Sequence, residues 1–364
     1  MKYTLEQTLA DQEALDTICA DRPLETEEIF PGNAYYGADR VLKAYSGYHR
    51  PLKIVVPHGP PLDDRFVWLA EAVSPLPAVF YFCPHRQGAY EKWTKKVVLP
   101  SASPFLYLKE LVKDQPQPPR KGTIFYPGHS THQITAEMDY EGIAATLLGF
   151  EEDYQPVTVC LYWKDILLGR HELFRRRGLK VVSAGHLYDT YFFWRFYHLC
   201  SRHRYAASNT YSSALLYAVE SGCSFFFSES FGFREVAAES VKEELKEAKE
   251  PEDRLAAIKA LFAQPRPAAT PEQLEMVDYY LGTAYLRSPA ELRRQFLQAE
   301  KWDKTLFYVR HSDGRRKFFL PTYYRRKIDY LVYLAKNFKT ALKDRLRGYG
   351  HRWPALSRWL GLQR

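Results

Sequence analysis

The chain has 364 residues, 46% of them hydrophobic and 15% aromatic, enough to bury a large core of ordinary two-domain size and to exclude a generally disordered protein. Its five cysteines, at positions 19, 83, 160, 200 and 223, form no CxxC pair and no Cys/His set at zinc spacing, which excludes a disulfide scaffold and a structural zinc module and fits a reducing compartment. The net charge of +8 is uneven: residues 310–364 carry +12 and the other 309 residues sum to −4, which excludes a uniformly basic nucleic-acid binder.

Residues 1–20 place Asp11, Glu13 and Asp16 among short apolar pieces, so no secretory signal is expected, and no run of eighteen apolar residues predicts a membrane-spanning helix. The first strand candidates are Lys53–Val56, Ala78–Cys83 and Lys96–Leu99. The proline-rich run Gln115–Arg120 then breaks any helix and marks the expected boundary between a first unit, 1–115, and a second unit, 121–309.

In the second unit, apolar, β-branched or aromatic runs at Thr123–Tyr126, Val157–Trp163, Leu179–Ser183, Arg204–Ala207 and Cys223–Phe227 alternate with helix-length segments. That rhythm predicts stacked βαβ units and a parallel sheet. Helices are expected at Asp189–His203, after Ser212 with Gly222 as its C-cap, and through the acidic stretch Glu235–Leu261. Two more begin where Thr270-Pro271 and Ser288-Pro289 set a cap before a proline.

In an open parallel sheet, ligands bind beyond the carboxyl ends of the strands, so the residues after each strand are the candidates. The second unit offers His129, Ser130 and His132, then Lys164, then Gly185 and His186, and finally Ser208, Asn209, Thr210, Ser212 and Ser213. The last run supplies hydroxyls and N–H groups at a helix start, suited to a phosphate, although ordinary capping explains the same serines. His129 and His132 could contact phosphate, act in acid–base steps or serve the loop structurally; without further ligands their spacing predicts no metal. In the first unit His58 follows a strand, and Asp63 and Asp64 are available as a general base. No GxGxxG and no GxxxxGK[ST] occurs, so dehydrogenase and P-loop readings lose support.

The stretches Val56–Gly59, Phe125–His132, Cys160–Asp165, Ser183–His186 and Ser208–Ser213, covering roughly residues 50–230, resemble the GT-B glycosyltransferases, nearest to bacterial capsule and lipopolysaccharide-type enzymes that use CMP-sugars such as CMP-Kdo. The resemblance implies an α/β fold of two Rossmann-like domains facing a cleft, with parallel sheets and a helical C-terminal tail. It also implies a nucleotide-sugar donor held by the second domain, a glycan or glycolipid acceptor held by the first, and inverting transfer without metal or cofactor. Paired hydroxyls at a helix start, here Ser212 and Ser213, would hold the donor phosphate. The acidic base motif followed by glycine is absent, because Arg65 follows Asp64.

Residues 325–347 set Ile328, Leu331, Val332, Ala335, Phe338, Leu342 and Leu346 at helical spacing among cations, with Trp353 and Trp359 beyond. A basic amphipathic tail on an anionic membrane surface is expected, hence a cytoplasmic protein held peripherally at the inner membrane and not a nucleic-acid partner. Two other classes fit the same residues: a transferase moving a phosphoalcohol from CDP, and a non-catalytic polysaccharide-binding protein.

Overall fold

The computed structural model describes residues 3–62, 66–237 and 251–304, the backbone of 309–310 and 316–317, and residue 331. The strands, in chain order, are β1 (Ile54–Val55), β2 (Ala78–Tyr81), β3 (Val97–Pro100), β4 (Thr123–Tyr126), β5 (Ile134–Glu137), β6 (Val157–Cys160), β7 (Lys180–Val182), β8 (Tyr205–Ser208), β9 (Ser224–Phe227) and β10 (Arg234–Ala237). β1, β2 and β3 make a parallel sheet in that order, and β7-β6-β4-β8-β9 make a second, five-stranded one. The α/β class and the parallel sheets are as expected from the apolar runs, since strands covered on both faces carry no alternation. β4, β6 and β8 are buried at every position.

Numbered within the larger sheet, the strands lie in the order third, second, first, fourth, fifth, the order of a Rossmann-like half. The chain therefore reverses its direction of winding between β4 and β8, and the loops after these two strands lie at the switch point of the sheet.

Three details differ from expectation. The run from Val157 stops as a strand at Cys160, because Trp163 opens a short helix, Trp163–Leu167. The helix expected from Asp189 begins at Phe192, since the Asp189 carboxylate accepts the Tyr191 N–H at 2.8 Å and holds a turn there. Residues 235–237, expected to open a helix, belong instead to β10, which pairs antiparallel with β5, where the Arg234–Glu137 ion pair closes at 2.6 Å. A helix follows at Glu252–Leu261. The expected tail lies outside the described residues apart from the backbone of Arg310, Arg316 and Lys317 and residue Leu331. Among the described residues no helix is long and apolar enough to cross a membrane.

The expected segments 1–115 and 121–309 are each anchored across the proline-rich connection. The N-terminal helices Leu5–Glu13 and Leu15–Cys19 pack on helices of the larger-sheet unit, Phe192–Ser201 and Trp163–Leu167 respectively. There the Gln12 amide exchanges hydrogen bonds with the Ser183 backbone at 2.9 and 3.0 Å, standing in for a neighbouring strand at the β7 edge. In the other direction, the helix Pro289–Lys304 lays Phe296 against Tyr48 at 5.1 Å and pairs Asp303 with Lys53 at 3.0 Å, beside the smaller sheet.

One buried apolar cluster accordingly includes Phe80 and Phe82 from the smaller sheet and Ile124, Ala206 and Phe225 from the larger. Phe105 lies between them, fully buried, stacked on Tyr217 at 4.5 Å and in edge contact with Phe193 and Phe196. Phe105→Ala is expected to cost about 3–5 kcal/mol. Urea denaturation followed by both circular dichroism and tryptophan fluorescence should show one shifted transition, because the lost ring supports both sheets.

Candidate functional site

The loops at the carboxyl edge of the larger sheet are tied to one another by side chains. Asn209, after β8, accepts the Gly128 N–H at 2.8 Å through Oδ1 and donates through Nδ2 to the Ser230 carbonyl at 3.2 Å, joining the loops after β4, β8 and β9. Phe233 covers this junction, lying so close over Gly128 that a Cβ there would stand 2.3 Å from its ring. Asp165 accepts the Ser130 N–H at 3.0 Å and pairs with Arg170 at 2.5 Å, while the Ser130 hydroxyl accepts from Ala136 N–H and Arg170, each at 3.0 Å. Burial raises the Asp165 carboxyl, opposed by these donors. Ser130 and Asn209, expected as ligand contacts, thus hold the loops in place.

From the other side comes the loop after β1. The His58 N–H reaches Glu71 Oε1 at 3.4 Å, and Glu71 is itself buried and accepts the Tyr90 hydroxyl at 2.7 Å. The His58 imidazole keeps a solvent-facing edge yet is surrounded by Tyr35 and Tyr36, at ring separations of 5.5 and 5.1 Å. Burial, and then the neighbouring His129, pushes its pKa down to about 4, so His58 is uncharged at neutral pH.

Tyr36 links the two sets of loops. Its hydroxyl lies 3.2 Å from that of Tyr162 and 3.5 Å from His58 Nε2, and the Tyr162 ring packs on His129 at 4.4 Å. Burial raises the Tyr36 phenol to about 12, which keeps it protonated. The backbone there is strained: Tyr36 has φ +59°, a left-handed conformation that costs a non-glycine residue about 1–3 kcal/mol. It is held by the Tyr36 N–H to Leu187 carbonyl bond at 2.8 Å. Gly37 follows at φ +74°, where any Cβ would stand 2.2 Å from the Thr190 carbonyl oxygen. Segment 35–37 is therefore locked against the turn before the helix Phe192–Ser201.

The remaining expected residues fall along the same edge. Ser208 and Thr210 bond each other locally, and the Ser212 hydroxyl caps the helix Ser213–Glu220 through the Ala214 N–H at 3.3 Å. Ser213 Oγ would touch a Cβ on Gly59 at 3.3 Å, so the β1 loop meets this helix start. Lys164 Nζ sits 5.5 Å from the Trp163 ring, and the Gly185 N–H bonds Ser183 Oγ at 3.1 Å. His132 and His186 approach each other at 5.9 Å between ring centres. Asp63 and Asp64 lie outside the described residues.

Sequence reasoning missed Tyr35, Tyr36, Tyr162, Asp165 and Arg170, although the dipeptide Tyr35-Tyr36 before a glycine was a visible signal. It also missed Asp21, which with His132 and His186 forms a set whose ligand atoms all lie within 4.8 Å of one another, metal-ligating residue types in a group expected to hold no metal.

Comparison with protein-family models gives no match, and comparison with curated protein sequences gives none. The functional reading therefore rests on the residues themselves.

Burial pushes His58, His198 and His203 down to about 4 and His186 to about 3. Between pH 6.5 and these values the unfolded chain binds more protons than the folded one, so stability is complete above about 6.5 and falls as the pH drops toward 4. Denaturation midpoints measured across that window should fall with pH. His198→Gln, which removes one of these groups, should flatten the slope.

Proposed function

We propose that the protein is a glycosyltransferase that moves a sugar from a nucleotide-sugar, with a CMP-sugar such as CMP-Kdo the first candidate, to a cell-surface glycan or glycolipid. The observation that carries this reading is the meeting of two loop sets at the winding switch of a Rossmann-like sheet: the β1 loop with His58 and Gly59 opposite the β4, β6 and β8 loops with His129, Lys164 and Ser213. Donor phosphate would lie at the start of the helix Ser213–Glu220, where the helix dipole and the Ser212 and Ser213 hydroxyls favour an anion.

Transfer needs deprotonation of an acceptor hydroxyl, neutralisation of the departing phosphate and exclusion of water. His58, uncharged at neutral pH and reachable from solvent, is the described group that can take the proton; a conjugate acid near 4 makes it a base of about carboxylate strength. His129 and Lys164 would supply donors and positive charge to the leaving group. Asp63 and Asp64 stay candidates for the same proton on the sequence pattern alone.

A panel of CMP, CDP, UDP, GDP and ADP in thermal unfolding tests the donor site. At about 100-fold excess over its dissociation constant a true ligand adds roughly 2.7 kcal/mol, a visible rise in Tm. A rise with CMP alone is expected, reduced by His129→Ala; no rise with any nucleotide would overturn the reading.

The basic segment 310–364 is proposed to hold the enzyme on an anionic membrane, as its composition supports. The full chain should co-sediment with vesicles containing phosphatidylglycerol and be released by salt, and equal binding to neutral vesicles would remove that role.

A further inference from the structure

The His186 ring is wholly buried, and its two nitrogens have different surroundings. Nδ1 accepts the Tyr188 N–H at 3.1 Å, so the neutral ring carries its own proton on Nε2. Nε2 is therefore a donor, and it has no hydrogen-bond partner. A buried donor left without an acceptor costs about 1–3 kcal/mol, which an acceptor from outside the chain would recover. The nearest carboxylate oxygen, Asp21 Oδ1, stands 3.8 Å away, too far for a direct hydrogen bond.

The chemistry of this gap selects its occupant. A metal ion needs a lone pair on Nε2, and the Tyr188 contact leaves none there. A bare anion would accept from Nε2–H but face the Asp21 carboxylate. A hydroxyl group meets both demands, accepting from His186 Nε2–H and donating to Asp21. Beside the gap Tyr188 stacks on His132 at 5.7 Å, over a floor that includes the fully buried Trp163, 4.7 Å from His132 and 4.0 Å from His186. A carboxylate, an N–H donor and an aromatic face together suit the hydroxyls and the C–H face of a pyranose.

We propose that Asp21 and His186, with the Tyr188–His132 ring pair, form a sugar subsite that grips one ring hydroxyl between a buried N–H and a carboxylate. The subsite deepens the glycosyltransferase reading, on which it rests for the sugar's role, by naming where a sugar ring lies.

Saturation-transfer NMR of the full chain with methyl glucoside, galactoside, mannoside and N-acetylglucosaminide, each at millimolar concentration, tests it. At least one pyranoside should receive saturation from the wild type. Asp21→Ala, at an exposed position, should weaken that binding about tenfold, as loss of one hydrogen bond to a charged acceptor predicts. Asp21→Asn, which keeps an acceptor oxygen, should retain more of it, and Tyr188→Ala should weaken it as well.

The proposal is overturned if no pyranoside is saturated, leaving the gap to ordered water, or if both alanine variants bind like the wild type. It is also overturned if Zn(II) raises the Tm of the wild type but not that of Asp21→Ala. The nucleotide panel on the same samples separates the two readings. Pyranoside binding with no nucleotide response sinks the transferase and keeps the subsite, whereas a nucleotide response without pyranoside binding sinks the subsite alone.

Discussion

The helix Phe192–Ser201 has no face toward solvent, and the rest of the molecule is arranged to make that possible. Nine of its ten side chains meet that demand without a formal charge, but Arg195 does not, and burying a guanidinium costs several kcal/mol unless acceptors surround it. Asp189 at 3.0 Å and Asp11 at 2.6 Å supply the countercharge, and the Ala184 carbonyl accepts at 3.0 Å. Asp11 belongs to the N-terminal helix and Asp189 to the turn against which Gly37 is pressed. The need to neutralise one buried cation thus fixes the N-terminal helix on the helix Phe192–Ser201 and helps fix the turn that receives segment 35–37 and sets Tyr36 beside His58 and Tyr162.

What could be read from the sequence follows from how each element is covered. Strands such as β4, β6 and β8 are buried on both faces and appear as unbroken apolar runs, so the parallel sheets were visible, as were the helix starts at Thr270-Pro271 and Ser288-Pro289. β5 and β10 were not, because each is half exposed, four residues long and paired with a partner nearly a hundred residues away, where local composition carries no signal. In the site, polar residues after strands were easy to nominate, but their duties were not. Ser130 and Asn209 are nominated as ligand contacts in one dimension, and only the fold shows that they also tie loops together. Asp21 enters the site only because the chain's N-terminus crosses to the other sheet, which no spacing rule encodes.

Several polar groups where the two sets of loops meet gain their character from their neighbours. His58 is a weak base because of burial and of His129, whereas Tyr36 keeps its proton because its phenol is desolvated. This meeting place presents neutral imidazole and phenol groups, which exchange hydrogen bonds readily, on the same edge as Lys164. Local strain at Tyr36 is consistent with a residue positioned for contact rather than for backbone comfort.

The exchange of chain ends has a consequence for synthesis. The smaller sheet is complete in strands by residue 100, yet Tyr48, Lys53 and Phe80 find their partners in Phe296 and Asp303. Likewise Thr8 and Gln12 must wait for His198 and Ser183. A nascent chain on the ribosome therefore cannot finish its first half before nearly all of its second has emerged. The early half is left with apolar surface uncovered for much of translation, a longer exposure than a chain of two self-contained halves would have.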